Sequence, residues 1–93
     1  MTELLSGDEI DARVGELDWS LEGKEIVREW ELKDFAEAVA FVNRVAEAAE
    51  KANHHPDILL HGWNKVRLAL SSHSAGGLTA ADFDMAQRFD ELG

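Results

Sequence analysis

The sequence contains no cysteine and a single proline among its 93 residues. Without cysteine there can be no disulfide bond, no thiolate zinc site and no cysteine nucleophile. Basic residues are also few. The chain has 9 Lys and Arg and 19 Asp and Glu, which gives a net charge of −10. This charge disfavours binding to nucleic acids and to anionic membranes, since both present negative phosphates. It suits a protein that binds a small ligand or another protein.

Long apolar runs are missing as well. No stretch approaches the roughly 20 residues that a helix needs to cross a bilayer. The amino-terminal segment MTELLSGDEI lacks the basic start and the apolar core of a secretory signal. The sequence therefore predicts a cytoplasmic protein in which residues 1–93 form a single domain.

The first and last helices are predicted from their capping residues. At the start of residues 6–17, Ser6 and Glu9 form the Ser-x-x-Glu pattern of a capping box. Near the end of the chain, Thr79 precedes a helical pattern of apolar residues and has Asp82 three positions further on. Because Asp82 falls in the first turn, its simplest role is to complement the positive end of this helix.

The strongest helix signal covers residues 34–53. Asp34 is a natural N-cap, and Pro56 prevents the helix from continuing. Phe41 and Val45 are expected beside a buried stripe. The predicted stripe consists of Phe35, Val39, Val42, Ala46 and Ala49.

Two pairs of strands complete the pattern. Residues 19–32 read as a hairpin with its turn at residues 22–24, where Gly23 can adopt a positive φ. Residues 57–73 read as two strands on either side of His61 and Gly62. The order α-β-β-α-β-β-α predicts an α+β fold with a four-stranded antiparallel sheet and helices packed on one face.

The four histidines of the chain all lie in one segment, as His54, His55, His61 and His73. The simplest interpretation is structural, because most histidines are ordinary core or surface residues, and His61 beside Gly62 fits it best. A metal site is a second interpretation, with Asp57 as a further ligand type. The spacing argues against a metal, since the sequence has no His-x-x-x-His or His-Glu-x-x-His pattern and adjacent side chains diverge.

Acid–base chemistry is the third interpretation. Histidine has an ordinary pKa near ~6.5, so it can donate or accept a proton at neutral pH. His54 sits at the carboxyl end of the long helix, where free carbonyls and the helix dipole stabilise a cation. His55, extended before Pro56, should point elsewhere. His73 is expected to end the last strand on the side opposite its apolar residues, so three imidazoles from two segments could surround a small polar ligand.

At these positions the sequence resembles the pterin-4a-carbinolamine dehydratases. The family signature is a charged residue, the triplet His-His-Pro, an aromatic, a histidine and an aspartate at set spacings. The signature residues in this chain are Glu50, His54, His55, Pro56, Trp63, His73 and Asp82. The segments NKVRLALSSH (64–73) and GLTAADF (77–83) are also similar to the family's strand and helix-capping segments, and the resemblance covers essentially the whole chain.

The resemblance implies the activity of this family as well as its fold. Members dehydrate 4a-hydroxytetrahydrobiopterin to a quinonoid dihydropterin without a metal or an organic cofactor, and they form homodimers or homotetramers. Pro56 is expected to hold the loop that precedes the third strand. The implied substrate contacts are Asn53, His54, His55, Ser71, Ser72 and His73.

The resulting hypothesis is a hydro-lyase that works by histidine acid–base catalysis. His54 and His73 are expected to share the acid and base roles, and His55 to orient the pterin ring. The residues alone do not decide which imidazole is the acid. Asn53 stands where some members have Asp, which puts a charged contact from that position in question.

The resemblance also predicts an irregular strand and a rival function. Six residues separate Pro56 from Trp63, where many members have five, so a β-bulge is expected at His61 and Gly62. Animal members also act as dimerisation partners of a homeodomain transcription factor. A non-catalytic interaction module on the same fold is therefore the alternative, although such a module has no need of three imidazoles.

Overall fold

The computed structural model describes residues 3–93. The elements along the chain are α1 (Gly7–Val14), β1 (Ser20–Glu22), β2 (Glu25–Glu31), α2 (Phe35–Ala52), β3 (Asp57–His61), β4 (Lys65–Leu70) and α3 (Ala80–Asp90). The predicted order of helices and strands and the predicted α+β class are thus confirmed.

The four strands form one antiparallel sheet in the order β1-β2-β4-β3. The turn between β1 and β2 contains Gly23, which has a φ of 62°, a value that glycine adopts without the steric cost of a side chain. The two central strands are β2 and β4, with Ile26 opposite Leu70 and Trp30 opposite Val66. The outer strands β1 and β3 leave two sheet edges without a partner strand among residues 3–93.

Helix packing covers one face of this sheet. Arg28 lies on this apolar face, because it alternates along β2 with Ile26 and Trp30. Its guanidinium lies 4.6 Å from the Trp30 ring centre and 2.7 Å from Asp90 Oδ1. The charge is therefore paired and stacked where it meets the core. The fully buried large apolar residues of this core are Ile26, Phe41, Val45, Val66, Leu68, Leu70 and Phe89.

The predicted helix caps are present. Ser6 accepts a hydrogen bond from the backbone N–H of Glu9, and Asp34 accepts one from the backbone N–H of Glu37. The first helix ends at Val14 rather than at residue 17 as predicted. The residues after Val14 form tighter turns instead, with i to i+3 hydrogen bonds to Arg13 and Val14, and Leu17 still packs against the core.

The predicted buried stripe of α2 is only partly right: Ala49 is buried and Val42 is half-buried, but the other predicted residues are exposed. Phe35 is 56% exposed and Val39 is 37% exposed, whereas Phe41 is fully buried. The ring centres of Phe41 and Trp30 lie 4.9 Å apart, and this contact sets the rotation of the helix on the sheet. The buried residues of α2 are Ala38, Phe41, Val45, Ala48 and Ala49.

The last two strands also differ from their predictions. The pairing of β3 with β4 is continuous and contains no bulge, because the extra residue is absorbed in the three-residue turn after His61. Strand β4 ends at Leu70, so His73 lies in a turn and not on a strand. The strand stops there because its pairing with β2 ends at Ile26 and its pairing with β3 ends at Asp57.

Among residues 3–93, no helix is long and apolar enough to cross a membrane.

The rotation of α2 can be tested with a matched pair of phenylalanines. Phe41→Ala should lower the free energy of unfolding by about 3–5 kcal/mol, because the ring is fully buried. Phe35→Ala, on the exposed side of the same helix, should change it by about 0.5 kcal/mol or less. Urea titrations at two protein concentrations measure both values and separate any contribution of self-association. Equal costs at low concentration would contradict the packing of α2.

Candidate active site

A cavity of about 370 Å³ opens where the carboxyl end of α2, the segment after β4 and the start of α3 meet. Its lining residues are Asn53, His54, His55, Ser71, Ser72, His73, Ser74 and Ala81. All six residues predicted to contact a substrate therefore border one cavity, although they come from two segments separated by β3 and β4.

The backbone at Asn53 turns the chain from α2 into the cavity wall. Asn53 is the C-cap of α2 and has left-handed dihedral angles, with φ 51° and ψ 42°. The backbone N–H of His54 donates to the carbonyl of Ala49 at 3.1 Å, which satisfies one of the free carbonyls at the helix end. This reversal places His54 and His55 outside the helix, beside the segment that follows β4.

A hydrogen bond to Asp82 holds the His54 ring in place. His54 Nε2 lies 2.7 Å from Asp82 Oδ1, and the histidine side chain is only 19% exposed. Asp82 Oδ2 accepts hydrogen bonds from Ser72 Oγ and from the backbone N–H of Thr79, each at 2.9 Å. Asp82 has no exposed surface, so this carboxylate caps α3 and fixes an imidazole at the same time. The predicted capping role is present, but it is only half of what the residue does.

His55 and His61 make carboxylate contacts of their own. His55 Nε2 contacts Glu50 Oε2, and both side chains are largely exposed. His61 does not line the cavity; its Nε2 lies 2.5 Å from Glu29 Oε1, across the sheet on the face away from the helices. The structural interpretation of His61 is therefore consistent with its position.

The turn after β4 brings the third imidazole to the cavity. The backbone N–H of Ser72 donates to the carbonyl of Gly77 at 2.9 Å and closes a turn that spans residues 73–76. His73 is exposed in this turn. Its position in a turn also places Ser74 on the cavity wall, a residue that the sequence alone did not indicate.

The signature residues Pro56 and Trp63 lie away from the cavity, and the lining residue Ala81 was not predicted from the sequence. Pro56 directly precedes β3 and is partly buried, as expected for a residue that holds the loop. Trp63 is 61% exposed in the turn between β3 and β4 and has a φ of 62°. Ala81 borders the cavity from the first turn of α3, as the placement of Asp82 in the same turn could have indicated.

Metal binding is not favoured by this geometry. In the part of the chain from residue 3 to 93, no group of three or more His, Cys, Asp or Glu side chains is arranged to hold a metal ion. Nε2 of His54 and Nε2 of His55 each face a different carboxylate, so the adjacent imidazoles do not share a centre.

A second depression, of about 510 Å³, is lined mainly by residues of β1, β2 and β4, but it offers fewer groups for acid–base chemistry. Its two arginines are already paired, with Arg28 at 2.7 Å from Asp90 and Arg67 at 3.0 Å from Glu22. It is lined by no histidine. The imidazole cavity is therefore the candidate active site.

Comparison with known sequences identifies the family of this chain. Residues 3–92 match the family described as Pterin 4 alpha carbinolamine dehydratase. The chain belongs to this family. It is similar to a protein of Cyanothece sp. (strain PCC 7425), provisionally named a pterin-4-alpha-carbinolamine dehydratase, with 50% identity over 99% of this chain and 95% of the relative. A protein of Nocardia farcinica with the same provisional name is 51% identical, over 98% of this chain and 96% of the relative.

Two solved structures share the dehydratase-family fold. The transcriptional coactivator/pterin dehydratase of Brucella melitensis superposes with a TM-score of 0.87 and 33% identity, over 95% of this chain and 96% of that one. A pterin dehydratase-like protein, identified as a RuBisCO assembly factor in the alpha-carboxysome, gives a TM-score of 0.69 and 25% identity. This second match covers 82% of the present chain and 89% of the other.

The left-handed C-cap of α2 gives a prediction about how the site is held. Asn53→Ala should lower the free energy of unfolding by roughly 1–2 kcal/mol, because a Cβ disfavours this conformation when no polar side chain compensates. Asn53→Gly should keep the stability, since glycine adopts the conformation freely. Urea unfolding of both variants measures the difference. Equal losses of stability in the two variants would mean that the left-handed conformation at position 53 does not determine the cost of the alanine substitution.

Proposed function

We propose that this protein is a dehydratase that removes water from 4a-hydroxytetrahydrobiopterin and yields the quinonoid dihydropterin. The observation that carries the proposal is the convergence of His54, His55 and His73 on one cavity, in a chain of the pterin carbinolamine dehydratase family. Most of the cavity's other lining residues are small and polar, and its volume of about 370 Å³ falls in the range of small-molecule sites.

The proposed reaction is a proton-coupled elimination. The C4a–O bond of the substrate breaks, its hydroxyl leaves as water after receiving one proton, and N5 loses one proton as the N5=C4a double bond forms. One proton is taken up and one is given, so no oxidant, metal or organic cofactor is needed. A neutral imidazole and a protonated imidazole together supply both transfers.

The proposed roles follow from how each imidazole is held. His54 and His73 share the acid and base roles. Asp82 fixes the ring of His54, and His73 reaches the same cavity from the turn after β4. His55 orients the pterin and is steadied by its contact with Glu50. The remaining polar groups of the wall, from Asn53 and from the serines around His73, can hydrogen-bond to the amide and amino groups of a pterin.

The alternative is an interaction module without catalysis. The Brucella relative is described as a coactivator as well as a dehydratase, and the second structural relative as an assembly factor. In this chain, Phe35 and Val39 expose apolar side chains one turn apart on α2, which suits a protein contact. The two functions are compatible, because the exposed side of α2 and the imidazole cavity are formed by different residues.

Self-association is part of the proposal, with a homodimer or a homotetramer as the expected state. It is supported by the unpaired edges of β1 and β3 and by the exposed apolar residues of α2. The other proposed partner is the small pterin; nucleic acid and membrane remain disfavoured by the net charge of −10. The proposed location is the cytoplasm.

Light scattering tests the self-association. At micromolar concentration the mass should be at least twice that of one chain, and Phe35→Glu should reduce it by placing a charge on the exposed apolar side of α2. A monomeric mass for the unmodified protein would contradict this part of the proposal.

Substitution of the histidines tests the catalytic proposal. His54→Ala and His73→Ala should each lower kcat/KM by roughly 10²-fold or more, the usual scale for loss of a general acid or base. Their combined loss should be smaller than the product of the two, because both residues serve one reaction. His55→Ala should act mainly on KM. Initial rates of 4a-hydroxytetrahydropterin dehydration, corrected for the uncatalysed reaction, give these values.

His61→Ala is the matched control for these variants. It removes the same side chain and a similar carboxylate contact, but from the sheet face outside the cavity, so its kcat/KM should stay near that of the unmodified protein. Near-normal kcat/KM in folded His54→Ala and His73→Ala, or a severe loss in His61→Ala, would contradict the assignment.

A further inference from the structure

The contacts of Asp82 are unequal on its two oxygens. Oδ2 receives the backbone N–H of Thr79 and the hydroxyl of Ser72, with the Thr79 hydroxyl at 3.5 Å. Oδ1 faces only His54, at 2.7 Å from Nε2. Every one of these partners can donate, which is the environment of an ionised carboxylate. Within residues 3–93, Asp82 is also the only side-chain hydrogen-bond partner of the His54 ring.

This arrangement determines which ring nitrogen of His54 is free. A carboxylate only accepts hydrogen bonds, so the nitrogen that faces it must carry the hydrogen. In the neutral ring, Nε2 is therefore protonated and Nδ1 has the lone pair. The ring also borders the cavity, so Nδ1 is the nitrogen left for a ligand.

We infer that Asp82 is a positioning residue that holds His54 in the Nε2–H tautomer, and that His54 Nδ1 is the atom that takes the proton from N5 of the pterin. The inference rests on the proposed dehydratase function and deepens it, because it makes His54 the base and leaves the acid role to His73. The N5–H bond breaks, the proton moves to Nδ1, and the resulting imidazolium keeps its Nε2–H bond to Asp82. The charge formed on His54 is then stabilised by the carboxylate behind it.

The variant Asp82→Asn separates the effect of Asp82 on the His54 ring from its effect on folding. The amide oxygen should take the place of Oδ2, because the donors from Thr79 and Ser72 meet there. The amide N–H₂ then faces His54 and donates to Nε2, so the neutral ring must carry its hydrogen on Nδ1. The substitution therefore keeps the helix cap but removes the lone pair that the reaction needs. The expected result is a fall in kcat of about 10²–10⁴-fold with little change in KM.

Histidine tautomers can be read directly by long-range ¹H–¹⁵N NMR of the imidazole rings, without any substrate. The His54 signals are assigned by their loss in His54→Ala. In the unmodified protein, the neutral ring should show a protonated Nε2 and an unprotonated Nδ1. In Asp82→Asn this pattern should reverse. Asp90→Asn is the matched control, because Asp90 is also a part-buried carboxylate of α3 but accepts from Trp19 and Arg28, away from the cavity. It should leave the His54 tautomer unchanged.

The outcomes separate this inference from the proposed function. An Nδ1–H tautomer in the unmodified protein would overturn the inference even if the protein is an active dehydratase, and this measurement needs no variant that has to fold. A folded Asp82→Asn that reverses the tautomer but keeps its kcat would also overturn it. Absence of dehydration by the unmodified protein would instead defeat the proposed function, whatever the tautomer.

Discussion

The buried carboxylate of Asp82 is the interaction on which the candidate site depends. It joins three parts of the chain: the first turn of α3 through Thr79, the segment after β4 through Ser72, and the carboxyl end of α2 through His54. A fully buried charge is costly unless it is paired and hydrogen-bonded. In the described part of the chain, no buried side-chain nitrogen or oxygen lacks a partner. The same contacts that satisfy this charge therefore hold these three parts together around the cavity.

The elements that the sequence predicts well are governed by neighbours in the chain. Ser6, Asp34 and Thr79 each begin a helix as expected, because an N-cap depends on residues two or three positions away. Gly23 marks its turn for the same reason. The resemblance to the family also indicated six of the eight residues that line the cavity, and these six come from both segments. In each case the decisive information lies within a few residues or in a recognised pattern.

The errors concern features that depend on distant contacts. Alanines on several sides of α2 leave its rotation ambiguous, and only the packing of Phe41 on Trp30 resolves it. The sequence predicts that the last strand reaches His73, but the pairing of β4 with β2 ends at Leu70 and its pairing with β3 ends at Ala69. The hydrogen bond between His54 and Asp82 joins residues 28 positions apart. The sequence therefore predicts only the helix-capping role of Asp82 and not its hydrogen bond to the His54 ring. Spacing alone contains no signal for such a contact.

The central claim is that the imidazole cavity dehydrates a pterin. Stopped-flow measurement of 4a-hydroxytetrahydrobiopterin dehydration by the unmodified protein tests it most directly, with the uncatalysed reaction in buffer subtracted. Acid–base catalysis at the cavity predicts a rate that rises in proportion to protein concentration and saturates with substrate. A rate equal to that in buffer alone would contradict the claim and would favour a binding role for this fold.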